Sequence, residues 1–195
     1  MIIGVDFDDI LGECAQAMID WHNQVYGTSN KIKDIITFDL EHVWKTTYEE
    51  RIKRCEEFLH SKYCGEMNVV NGALDGIDKL SKKHKLIIIT ARLNAVSEVT
   101  QKWIDKYFPN IFEKICYNED WKNIGPQGSK LQMCKDNKVD MLIDDNLDTA
   151  KKVSAGNIPV LLLDYPWNQS DELPDKVTRV KRWEEIVDSI DSKTF

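Results

Sequence analysis

No run of apolar residues in this chain approaches the length needed to cross a bilayer, and no basic stretch followed by a long apolar run marks a leader at its start. Paired-cysteine motifs are missing as well. The five cysteines (Cys14, Cys55, Cys64, Cys116 and Cys134) form an odd set without a CxxC. That pattern argues against structural zinc or a disulfide framework and makes a reducing cytoplasm the expected compartment. Positive charge is in short supply: the formal net charge is -7, which disfavours a long polyanionic partner such as duplex DNA. One small phosphorylated ligand remains compatible, because a bound cation supplies positive charge locally. No Pro/Gly/Ser linker, repeat or low-complexity tract is visible. With 195 residues, 42% hydrophobic and 30% charged, the chain has the composition of an ordinary globular protein, long enough for one domain plus an insertion.

What is present is organised around Met1–Leu11, MIIGVDFDDIL. Ile2, Ile3 and Val5 form a nearly unbroken β-branched run, as in a strand buried on both faces. Asp6, Asp8 and Asp9 arrive where that strand should end, and alternation places Asp6 and Asp8 on the same side of the backbone. Each raises the energy of ionising the other, a cost that a divalent cation with oxygen ligands can offset. Taken alone, an acidic solvated turn is the simpler reading of the stretch.

The rest of the chain alternates. Cys14, Ala17, Met18, Trp21 and Val25 recur at helical spacing up to Gly27. Asn30–Thr46 is mixed, with Phe38, Leu40, Val43 and Trp44 as anchors. Thr47 and Glu50 form a capping-box signature ahead of a helix with Tyr48, Ile52, Cys55 and Leu59 on one face and Phe58 alongside. Asn71-Gly72 is a turn, followed by a helix carrying Leu74, Ile77 and Leu80. Lys85–Ala91 reads as a second buried strand. Val99, Trp103, Ile104 and Tyr107 mark a helix closed by Pro109, and Glu113–Tyr117 is a short strand. Leu131 to Lys138 (helix), Asp140–Ile143 (strand), Leu147 to Ala155 (helix ended by Gly156) and Pro159–Leu163 (strand) follow, and Trp183, Ile186, Val187 and Ile190 close the chain on an amphipathic helix. Such alternation predicts an α/β fold: a Rossmann-like, doubly wound, mostly parallel sheet covered on both faces. Roughly 70 residues separate the first two strands where a parallel crossover needs only a dozen or so. The excess predicts a small helical cap, residues 13–72, inserted into a core of 1–12 and 73–195 and rooted where open α/β sheets bind ligands.

Three later segments carry chemistry. Thr90, at the end of the second strand, can hydrogen-bond an anion together with nearby backbone N–H groups, or simply cap a following helix. Arg92 can clamp a phosphate or lie on the surface. Gly125-Pro-Gln-Gly-Ser-Lys130 lacks the GxxxxGK[ST] spacing and follows no strand, so a P-loop is rejected. Lys130 at a helix start opposes the helix dipole unless an anion sits beside it. Asp144 and Asp145 follow the strand Met141–Ile143 as Asp6 and Asp8 follow theirs. Two acidic turns at strand ends, with Thr90 and Lys130 between them, are hard to ascribe to solvation.

In the order DFDDI, ITA, GSK, LIDDN, the chain resembles the haloacid dehalogenase-like (HAD) phosphohydrolases over their whole core. TARLNAVSEVTQKWIDKYFP, LIDDNLDTAKKVSAGNIPVLLLDYPWN and the helical insertion look most like the 5′-nucleotidase branch that includes the 5′(3′)-deoxyribonucleotidases. Ile10 stands where that superfamily usually has Thr or Val, and Thr90-Ala91-Arg92 differs from the Thr-Ser-Pro type of the deoxyribonucleotidases. The resemblance implies a Mg²⁺-dependent phosphomonoester hydrolase, a 5′-nucleotidase acting on (deoxy)nucleoside monophosphates. Asp6 would be the nucleophile of an aspartyl-phosphate intermediate and Asp8 the general acid and base. Mg²⁺ would bind the Asp6 carboxylate, the Asp8 carbonyl and Asp144, with Asp145 in support. Thr90, Ala91 and Lys130 would hold the phosphate. Trp44, Phe58 and Tyr63 in the cap, and Arg92, are candidate substrate contacts; packing between cap helices is the alternative for each aromatic. Within the enzyme class the rival substrates are sugar phosphates or other small phosphomonoesters. A non-catalytic phospho-acceptor module, the reading from another class, would place its acceptor Asp after a middle strand and its Lys on a strand near the end, whereas Lys130 precedes the second acidic pair and a large insertion interrupts the chain.

Overall fold

The structure, a computed structural model, describes residues 1–37, 40–118 and 129–194. Phe38, and the Gly125–Gly128 part of the glycine-containing stretch, fall outside those residues. Six strands, β1 (Ile2–Val5), β2 (Lys85–Leu93), β3 (Ile115–Asn118), β4 (Met141–Asp144), β5 (Val160–Leu163) and β6 (Val177–Val180), form one sheet in the order β3-β2-β1-β4-β5-β6. Every pairing is parallel. β6 is an element that the sequence patterning missed: VTRV is four residues long and buries only its two ends, so it gives no apolar run.

Alternation along the strands sorts the core into two layers. Ile3, Val5, Leu86, Ile88, Met141, Ile143, Leu161 and Leu163 pack with α5 (Ala73–Ser81), α6 (Ser97–Tyr107) and α9 (Trp183–Ser192) through Ile77, Trp103 and Trp183. Ile87, Ile89, Leu142, Val160 and Leu162 face the other way, against α7 (Lys130–Asp136) and α8 (Leu147–Ala155) through Cys134, Ala150 and Val153. Strands buried on both faces need continuous apolar sequence, and LIII and MLI supply it.

Between β1 and β2 the chain forms α1 (Cys14–Tyr26), α2 (Leu40–Trp44), α3 (Tyr48–Leu59) and α4 (Lys62–Gly65). α1 ends at Gly27, in the left-handed conformation at φ 64, and the Thr47 hydroxyl accepts from the Glu50 N–H at the start of α3. The faces differ from the periodicity in detail. Val25 and Tyr48 are exposed, whereas Ile19, His22 and Phe58 are buried. The connectors into and out of this helical segment run side by side: Glu13 N–H donates to the Asn68 carbonyl at 2.9 Å and Val70 N–H to the Leu11 carbonyl at 2.8 Å. β2 runs two residues further than the expected Lys85–Ala91, through Arg92 to Leu93, and α6 begins only at Ser97. No helix starts beside Thr90 for it to cap.

Candidate active site

Successive crossovers from β1 lead to β2 and β3 on one side, and β4, β5 and β6 extend the sheet on the other. The change of direction falls between β1 and β4, and the carboxyl ends of strands at such a point are where open α/β sheets bind ligands. There the Asp6 N–H donates to the Ile143 carbonyl at 2.9 Å, locking the two acidic turns together. Carboxylate oxygens of Asp6, Asp144 and Asp145 lie within 4.8 Å of one another, and all three residues are buried. The Lys130 ammonium, on the first residue of α7, sits 2.6 Å from Asp6 Oδ2 and 2.7 Å from Asp144 Oδ2. The Ser129 hydroxyl accepts from the Gln132 N–H to start that helix. The anion that an N-terminal lysine requires is thus a pair of aspartates from two strands.

Burial dominates the electrostatics. It pushes the Asp6 carboxyl up to about 7, against the pull of Lys130 and with the help of Asp144 and Asp8. It raises Asp145 as well, assisted by Asp144 and Asp6. For Lys130 burial works the opposite way, but Asp144 and Asp6 overcome it and hold the ammonium charged. One ammonium is not enough to keep three buried carboxyls ionised, a deficit that a hard divalent cation would fill: the donors are all oxygen, with no imidazole or thiolate among them.

Asp8 points elsewhere. Its carboxylate takes three contacts from Arg92: Nε at 3.0 Å and Nη2 at 2.8 Å to Oδ1, and Nε at 3.1 Å to Oδ2. Arg92 is 5% exposed, so the surface alternative for it does not hold. Thr90 is fully buried, and its hydroxyl accepts from the Arg92 N–H at 3.1 Å, which leaves the O–H itself to donate. Ala91 is exposed beside it. Asp9 takes the left-handed conformation at φ 58, and its carboxylate accepts from the Ala15 N–H at 3.0 Å, turning the chain from β1 into α1. A buried non-glycine residue in that region is held by its surroundings.

Asp8 and Asp9 line a cavity of about 190 Å³ with Cys14, Ala15, Met18, Ile35, Leu40 and Trp167. Trp167 is the residue that sequence reasoning missed. Its indole N–H donates to Asp145 Oδ2 at 2.7 Å and its ring stacks on Tyr165 at 4.4 Å. The available signal was its place in the turn after β5, at the same edge of the sheet as the acidic turns. Trp44 and Phe58 pack instead around Trp21, inside the helical segment, at 5% and 0% exposure. Neither presents an open face to a ligand, so packing accounts for both. Tyr63 is half-buried against the main core.

The family described as "5' nucleotidase, deoxy (Pyrimidine), cytosolic type C protein" matches residues 1–195. Among relatives, the Bacillus subtilis protein YqfW is 25% identical over 189 residues, 95% of this chain and 91% of its own length. The Clostridium acetobutylicum nucleotidase CA_C3379 is 24% identical over 189 residues, 97% of this chain and 93% of its own. A haloacid dehalogenase-like family hydrolase from Streptococcus pneumoniae superposes with a TM-score of 0.71 at 16% identity, covering 97% of each chain, and shares the fold. With its acidic turns at the switch point of a six-stranded parallel sheet that shares the fold of a haloacid dehalogenase-like hydrolase, the chain belongs to this 5′-nucleotidase family of phosphoric monoester hydrolases.

Proposed function

We propose that this protein hydrolyses (deoxy)nucleoside monophosphates through an aspartyl-phosphate on Asp6, with Mg²⁺ as cofactor. The observation that carries the reading is the buried set Asp6, Asp144 and Asp145 with Lys130 between two of its members. The description of the family as deoxy and pyrimidine 5′-nucleotidases supports the substrate class. Asp6, Asp144 and the Asp8 carbonyl would hold the cation, with Asp145 supporting them through its bond to Trp167. Bound there, it would neutralise charge on the transferring phosphoryl group.

This chain's own groups do the rest. The Thr90 hydroxyl, the Ala91 N–H and the Lys130 ammonium bind phosphoryl oxygens. Asp6 attacks phosphorus in line while Asp8 protonates the leaving oxygen, and Asp8 then takes a proton from the water that opens the acyl phosphate. Residues 13–72 act as a cap over the core 1–12 and 73–195. Met18, Ile35 and Leu40 from that segment form one wall of the cavity that Asp8 lines, which supports the assignment.

The test is a hydrolysis panel of deoxynucleoside monophosphates against sugar phosphates, run on chelator-treated protein with and without added Mg²⁺. Turnover restored by the cation and favouring nucleotides is the expected result. Activity indifferent to metal removal overturns the cofactor, and preference for sugar phosphates overturns the substrate class.

A further inference from the structure

We infer that Arg92 is a positioning residue for Asp8, fixing the orientation of the carboxyl that trades a proton with the leaving oxygen and then with water. The inference rests on the acid–base role proposed for Asp8.

The guanidinium is clamped on every side. Nη1 donates to Thr100 Oγ1 at 3.2 Å and meets Cys64 Sγ at 3.5 Å. Nη2 lies 3.5 Å from Met67 Sδ and 3.9 Å from Cys14 Sγ. The Phe7 ring covers its Cζ at 4.2 Å. These groups come from α1, α4, the connector after α4, α6 and the turn after β1, so the fork cannot swing without moving several elements. All of them are uncharged and soft, and Asp8 is the anion that the fork meets. Desolvating a guanidinium is costly, and a position that only needed filling would be served by an apolar side chain.

The pair is also lopsided. The Arg92 side chain is 2% exposed and that of Asp8 32%, so the carboxyl is held from behind and open on the side of the cavity that it lines. Oδ1 receives two of the three contacts and Oδ2 one, which leaves Oδ2 with capacity to carry a proton. A planar, two-pronged donor fixes a carboxylate plane in a way that a lysine ammonium does not.

The chemistry balances over a turnover. As the Asp6–phosphorus bond forms, the ester P–O bond breaks; its electron pair stays on the leaving oxygen, which takes the proton from Asp8. Water then bonds to phosphorus, the acyl P–O bond breaks, and the water's proton returns to Asp8. Arg92 gives up nothing in either step. It keeps Asp8 in the rotamer from which both transfers occur.

The test is a double-mutant cycle of Arg92→Lys and Asp8→Asn, read in single turnovers on two substrates. One is a nucleoside monophosphate, whose leaving alkoxide needs a proton. The other is 2,4-dinitrophenyl phosphate, whose leaving group needs none and whose burst reports the first step alone. Arg92→Lys is expected to slow the nucleotide on the order of 10- to 100-fold, within what a general acid contributes. KM and the dinitrophenolate burst should change by less than about 2-fold if the loss is confined to proton transfer. In the Asp8→Asn background the same substitution should cost nothing further. Equal slowing of both substrates, a change in KM alone, or additive losses would overturn the inference. Should Asp8→Asn itself slow both substrates alike, the acid–base role of Asp8 falls, and this inference with it. If Arg92→Lys fails to fold, Thr100→Val, which removes one acceptor of Nη1 while keeping the side-chain shape, must show the same selectivity in smaller measure; unselective behaviour there overturns the inference equally.

Discussion

Lys130 is where the charge balance of the site is decided. Its ammonium is 9% exposed and bridges two aspartates that are 7% and 0% exposed. Lys130→Met removes the cation that bridges them, leaving two buried carboxyls without their counter-ion. Breaking one member of a buried ion-pair set typically costs about 3–5 kcal/mol. Urea denaturation of metal-free protein should show a loss of that order, with phosphatase activity abolished. Asp6→Asn is expected to behave differently: activity lost, but stability held or raised, because burial already pushes that carboxyl up to about 7. A melting curve beside an activity assay separates the two cases. The carboxylates and Lys130 were legible in the sequence because each stands at the end of a patterned element. Arg92 was not, since nothing local distinguishes a buried arginine from a surface one; its partner is 84 residues away. Trp167 was hidden for the same reason, its contact with Asp145 being set by the return of the chain after β5.

At the scale of elements, the three longer helices of the inserted segment and its linking turns meet around His22. Its ring stacks on Trp44 at 4.6 Å and on Tyr26 at 4.7 Å. Arg54 Nη1 donates to Nε2 at 3.1 Å, so Nδ1 carries the proton and faces Thr28 Oγ1 at 2.9 Å, while that hydroxyl donates to Asn23. This network needs the neutral imidazole. Burial, with help from Arg54, takes His22 from 6.5 down to about 4. A histidine whose folded value is depressed contributes stability that is present in full above pH 6.5 and lost as pH falls toward 4. The melting temperature should therefore drop across that window, and His22→Gln, which does not titrate there, should flatten the slope. Against the sheet, α5 lies so close to α9 that a Cβ on Gly76 would stand 2.5 Å from Trp183 Cε3. Gly76→Ala should destabilise by about 1–3 kcal/mol, as overpacking does, measured by denaturant midpoint. Helix periodicity located α5 and α9 well; it said nothing about how closely they approach, because that depends on which residue of one helix faces which of the other.

Across the whole molecule, the carboxylates proposed to hold a cation come from the ends of β1 and β4, two strands far apart in sequence that form the middle of the sheet. A cation held there binds the folded chain and not the unfolded one. At 100 times its Kd a single ion adds about 2.7 kcal/mol. Mg²⁺ should raise the melting temperature of wild-type protein, and Asp144→Asn should abolish most of that rise, which thermal scans with and without chelator will read directly. The parallel sheet was legible from strand composition and spacing alone, whereas the path of the helices between β1 and β2 was not, because their apolar residues pack against one another rather than along a common stripe. The paired connectors at Leu11–Glu13 and Asn68–Val70 bear on how such a protein diversifies. A loop that departs and comes home through one doorway can be lengthened, trimmed or exchanged for another while six strands keep their partners and the four acids keep their places; if that loop chooses the substrate, as proposed, the choice is free to drift under a chemistry that stays put.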